Sequence, residues 1–72
     1  MKNVYKMKDL DCANCAAKME RAISGINGVE SANISFLAQK LTINAPEDQM
    51  EYILSEAVRL CKKIEPDCVI IY

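Results

Sequence analysis

Asp11-Cys12-Ala13-Asn14-Cys15-Ala16 sets two thiols three positions apart, with a carboxylate directly before the first. If Cys12 sits in a loop and Cys15 opens a helix, both sulfurs turn toward one point. A helix N-terminus offers unsatisfied N–H groups and a partial positive charge, which favour thiolate over thiol. Thiolates bind soft and borderline metals, so the segment reads as a capture site with Asp11, Cys12 and Cys15 as its ligands. Two thiolates already give Cu(I) a charge of -1 and a complete two-coordinate shell, and a hard carboxylate adds nothing that Cu(I) favours. Zn(II), Cd(II) or Pb(II) on two thiolates is neutral and under-coordinated, so the Asp11 oxygen is a useful third donor. Three protein ligands leave the shell open, which suits an ion that is handed on.

The same spacing would serve a thiol–disulfide redox pair. Against that reading, the chain is short for a thioredoxin fold and has no aromatic residue before Cys12. Asp11 also has a plainer reading as a helix-capping or loop-solvating residue. The other two cysteines are ambiguous: Cys61 falls on an apolar helical stripe, where a small core residue belongs, and Cys68 opens the last strand. No catalytic constellation is evident. Histidine is absent, no serine or lysine has an activating partner, and no glycine-rich loop could cradle a phosphate. The domain itself is therefore expected not to be an enzyme.

The elements that must position these residues follow from hydrophobic period. Val4 to Lys8 alternates, with Tyr5 and Met7 on one face and Lys6 and Lys8 on the other, as in a half-buried strand. From Ala13, the apolar residues Ala16, Met19, Ala22, Ile23 and Ile26 recur at three and four, a helix ended by Gly25 and Asn27-Gly28. Val29 to Phe36 alternates again, turns near Ala38-Gln39, and continues through Leu41 and Ile43 as a hairpin. Pro46 suits entry to a second helix, with Glu47 and Asp48 in its first turn and Lys62 and Lys63 in its last. Its buried stripe is Met50, Ile53, Leu54, Ala57, Val58, Cys61 and Ile64, and a strand from Cys68 to Tyr72 closes the chain.

The order is βαββαβ, an α+β sandwich in which a four-stranded antiparallel sheet carries both helices on one face. The second helix should end where the first begins, bringing Cys61, the Glu65-Pro66-Asp67 turn and Cys68 within sight of the cysteine loop. Seventy-two residues form a single domain, 1–72, with 51% apolar and 26% charged residues and a net charge of -1. That balance gives no electrostatic footprint for nucleic acid. No apolar run reaches the roughly 20 residues of a membrane span, and the charged N-terminus is unlike a signal peptide, so a soluble, cytoplasmic module is expected.

Leu10-Asp11-Cys12-Ala13-Asn14-Cys15-Ala16, with Lys18-Met19-Glu20 and Ile26-Asn27-Gly28-Val29, resembles the heavy-metal-associated domain along nearly the whole chain. That family includes soluble copper chaperones and the cytosolic N-terminal domains of metal-transporting P-type ATPases. The resemblance implies a ferredoxin-like fold. The Asp-Cys-x-x-Cys motif looks like the zinc/cadmium/lead branch; copper members usually show Gly-Met-Thr before the first cysteine, where this chain has Asp9, Leu10 and Asp11. Leu10 would still anchor the loop as the methionine does. The resemblance implies Zn(II), Cd(II) or Pb(II) as cargo and, as partner, the transmembrane metal-transport domain of a P-type ATPase in the same full-length chain. The alternatives are a free-standing metallochaperone for a divalent ion or Cu(I), and the redox module. A monomer is expected, with a metal-bridged dimer possible through the exposed cysteines.

Overall fold

The computed structural model describes residues 1–72. Strand β1 (Lys2–Lys8) leads through the cysteine loop into helix α1 (Ala13–Ser24); β2 (Ser31–Ser35) and β3 (Lys40–Asn44) follow as a hairpin. A short 3-10 turn, Glu47–Gln49, then precedes α2 (Met50–Ile64) and β4 (Val69–Ile71). The strands lie in the order β2-β3-β1-β4, all neighbours antiparallel. This is the βαββαβ, ferredoxin-like arrangement expected from the hydrophobic pattern.

Register explains the layering. Ile43 faces Ala32, Leu41 faces Ile34 and Tyr5, and Met7 faces Ile70, so these side chains share the helix-covered side. Against them α1 buries Ala16, Met19 and Ile23, while α2 buries Met50, Ile53, Leu54, Ala57 and Cys61. The two helices also pack on each other. Every buried residue is apolar, so burial of hydrocarbon drives assembly of the two layers.

Boundaries differ from the periodic reading where specific bonds act. Strand β2 is shorter than Val29–Phe36, because Phe36 to Gln39 form the turn. There, Ala38 N–H donates to Ser35 Oγ at 3.2 Å, and Gln39 Nε2 donates to the Phe36 carbonyl at 2.8 Å. Pro46 opens a 3-10 turn before α2 proper, with Gln49 N–H donating to the Pro46 carbonyl at 3.1 Å. Gly25 caps α1 in a right-handed conformation (φ -84°), and the left-handed step falls at Gly28 (φ 98°). The positive φ is what favours glycine at Gly28; the nearby side-chain amide of Gln49 is the end of a flexible, exposed side chain that can move aside. Cys68 stays outside β4 because its N–H closes the turn onto the Glu65 carbonyl at 3.1 Å.

Edge strand β2 has part of its exposed ladder covered. Glu20 reaches across from α1, and its Oε2 accepts the Ile34 N–H at 2.8 Å. A carboxylate on an edge N–H blunts pairing with another chain and ties α1 to the sheet.

Candidate metal site

The loop Asp9–Cys12 leaves β1 through a left-handed step at Asp9 (φ 60°), which a short polar residue tolerates. Leu10 then turns into the core at 2% exposure, anchoring the loop as the sequence suggested. Its backbone is held from the hairpin turn: Leu10 N–H donates to Gln39 Oε1 at 3.1 Å, and Gln39 Nε2 donates to the Leu10 carbonyl at 2.8 Å. The loop therefore reaches the helix with little backbone freedom, although it belongs to no regular element.

Cys12 caps α1. Its φ and ψ of -128° and 120° are extended, and its Sγ accepts the Cys15 N–H at 3.3 Å. Both cysteines are half-buried and unpaired. The Cys12 thiol is lowered from its usual value, chiefly by the hydrogen bond from the Cys15 side chain and next by the Cys15 N–H. Cys15 is pushed up to about 11, first by that same side-chain bond and then by desolvation. Cys12 is therefore the more readily ionised of the two thiols.

The second helix ends at this end of the sandwich, as its direction implied. Glu65, the residue after α2, places Oε1 3.4 Å from the Asp11 N–H, which donates to it. Its Oε2 is buried and accepts no hydrogen bond from the protein. The negative charge of Glu65 also raises the Cys15 and Cys68 thiols, as expected for a carboxylate close behind the loop. Asp11 itself is exposed. Cys12 and Cys15 are thus brought together, Asp11 lies beside them on the loop, and no three acidic or thiol side chains are gathered into a finished metal cage.

Sequence reasoning placed the Glu65 turn near the loop but did not count Glu65 among the donors. The signal available was its position at the C-terminal end of the second helix, which the topology delivers to the first helix's start. Cys61 and Cys68 are each 1% exposed, and burial raises both thiols, Cys61 to about 12. They behave as core residues.

A βαββαβ sandwich with two free, hydrogen-bonded thiols at a helix start defines a class of small metal-binding domains. The model of the heavy-metal-associated domain matches residues 4–67, and this chain belongs to that family. A cadmium, zinc and cobalt-transporting ATPase of Bacillus subtilis (strain 168) is 32% identical over 66 residues, 92% of this chain and 9% of that protein. A zinc/cadmium/lead-transporting P-type ATPase of Escherichia coli (strain K12) is 36% identical over 56 residues, 74% of this chain and 8% of that protein. The chain thus spans less than a tenth of the length of these transporters. Among solved structures, a CopZ metallochaperone superposes with a TM-score of 0.75 at 14% identity, covering 99% of this chain and 100% of that one. The N-terminal domain of a potential copper-translocating P-type ATPase from Bacillus subtilis, in its Cu(I)-loaded state, gives 0.76 at 20% identity, covering 97% and 82%. At these identities the structural likeness carries the fold.

Proposed function

We propose that this domain captures a soft or borderline divalent ion, Zn(II), Cd(II) or Pb(II), and passes it to the transport machinery of a P-type ATPase in a cytoplasmic setting. Cys12 and Cys15 supply the thiolate anchors. Asp11, next to Cys12 in sequence, and Glu65, whose Oε1 takes the Asp11 N–H, are the candidate oxygen donors and would have to close on an ion held by the sulfurs. The observation that carries this reading is the Glu65 carboxylate, fixed beside the thiol loop with one buried oxygen lacking a donor. Leaving a buried acceptor unsatisfied costs about 1–3 kcal/mol, so this oxygen gains from any donor or ion that it can reach. Two thiolates alone satisfy Cu(I), whereas a divalent ion gains from the oxygens.

The chemistry also suits release. Carboxylates are the more replaceable donors for a thiophilic ion, so an incoming thiolate displaces Asp11 or Glu65 before either cysteine lets go. Transfer by this associative route runs at a rate proportional to acceptor concentration; a rate independent of the acceptor would refute it. The similarity to cadmium- and zinc-transporting ATPases supports the divalent cargo and the pump as partner.

The deciding experiment is competitive binding of Zn(II) and Cd(II) against Cu(I) by the reduced protein and by Asp11→Ala and Glu65→Ala. Divalent affinity is expected to fall in at least one variant while Cu(I) binding holds. If neither variant weakens a divalent ion, the site is a plain dithiolate, and a Cu(I) carrier becomes the better reading.

A further inference from the structure

The sheet face turned away from the helices has a charge pattern that the metal site does not use. All ten acidic residues lie outside the four strands, whereas Lys2, Lys6, Lys8 and Lys40 lie within them. All four lysines are exposed, and strand alternation sets them on the open face with Val4, Val69 and Ile71. Lys6 is in register with Lys40 on one side and with Ile71 on the other. Like charges directly opposed across strands are destabilising, and none of these lysines has an ion-pair partner. The other five cations share the rest of the molecule with all ten carboxylates. A nearly neutral chain is thereby divided into a cationic sheet and an anionic remainder.

We propose that this open face docks on an anionic lipid surface. Its composition selects that occupant. Protein interfaces are enriched in aromatic residues and arginine and depleted in lysine, whereas this face carries lysine, small polar residues and a few aliphatic side chains. Its strands place no aromatic ring on this side for a nucleic-acid base to stack upon. Lysine stems lie along a lipid headgroup layer with the ammonium groups directed to phosphates, while Val4, Val69 and Ile71, 45–55% exposed, project between them. The acidic remainder is repelled by the same surface, so the domain lands sheet-down. The cysteine loop, which leaves the end of β1 at Lys8, then stands at the rim of the contact, open to solvent. This inference is independent of which metal the loop binds.

The test is sedimentation of the reduced 72-residue protein with vesicles of phosphatidylcholine alone or mixed equally with phosphatidylglycerol. Each lysine held near an anionic surface strengthens attachment roughly fivefold. Lys6→Gln with Lys40→Gln is therefore expected to weaken binding to anionic vesicles about 30-fold. Lys62→Gln with Lys63→Gln changes net charge equally at the end of α2 and is expected to have little effect. Binding should weaken as the Debye length falls from about 30 Å at 0.01 M salt to about 8 Å at 0.15 M. Circular dichroism of each variant checks the fold. Equal binding to neutral vesicles, or equal losses in the two double variants, would overturn the proposal. So would lysine-dependent binding to polyglutamate with none to anionic vesicles, which would make an acidic polypeptide the occupant.

Discussion

Gln39 and Leu10 are joined in both directions: the amide oxygen of Gln39 takes the Leu10 N–H, and its nitrogen donates to the Leu10 carbonyl. Gln39 thus mimics a neighbouring strand for the residue two positions before Cys12, although the two are 29 residues apart. It also sits at φ 54°, a conformation ordinarily costly outside glycine.

Replacing Gln39 with alanine removes three side-chain hydrogen bonds, and a loss of about 2–3 kcal/mol in stability is expected. Gln39→Gly loses the same bonds but relieves the left-handed backbone, recovering about 1 kcal/mol. Denaturant unfolding of both variants separates the clamp from the conformation. Both should also bind divalent metal more weakly than the parent, because the loop that presents Cys12 is freed.

Glu65→Gln keeps the side-chain shape and removes the charge. It is expected to lower Cd(II) affinity more than Asp11→Asn does, because the Glu65 carboxylate is held across the loop and Asp11 is exposed. Isothermal titration of both variants with Cd(II) gives the comparison, and a larger loss in Asp11→Asn would reverse the ranking of the two oxygens.

Proton release should follow the order of the two thiols. Capture requires thiolates, so affinity rises with pH. Between the lowered value of Cys12 and the value of about 11 for Cys15, the free pair holds one proton. Binding by both sulfurs then releases one proton, and affinity should climb about tenfold per pH unit. Below the Cys12 value two protons must leave, and the slope should steepen to about a hundredfold per unit. Competition titrations across pH check both slopes.

Alkylation should separate the cysteines by depth. Iodoacetamide is expected to modify Cys12 first in the folded protein, because its thiolate is the most readily formed. Cys61 and Cys68 should resist until denaturant is added, being buried and raised. Mass spectrometry of peptides after a short exposure reads the order directly.

The alternation in Tyr5 and Met7, Ala32 and Ile34, and Leu41 and Ile43 was enough to assign strands and faces, since a period of two survives any later detail of packing. The stripe from Met50 to Ile64 identified α2 equally well. Element ends were less readable. Phe36 continues the alternation yet belongs to the turn, because Gln39 and Ser35 claim the backbone groups there. At the site, Cys12 and Cys15 declared themselves by local spacing. Glu65 did not, because its approach to Asp11 crosses 54 residues and is set by the angle at which α2 meets the loop. Gln39 was hidden for the same reason: a polar residue in a turn gives no local sign that its amide braces a distant backbone.

The burial of Cys61 and Cys68 behind a half-buried pair has a consequence for how many ions one molecule would take up. Four thiols would let an unfolded chain hold two thiophilic ions, yet in the native molecule only the thiols of Cys12 and Cys15 reach solvent. If each pair of thiols takes one ion, the count per chain would gauge conformational integrity: one for the intact protein, and a second only after the core has opened. A surplus of cargo would find no second berth on a healthy molecule, and retention of extra ion would mark those already damaged.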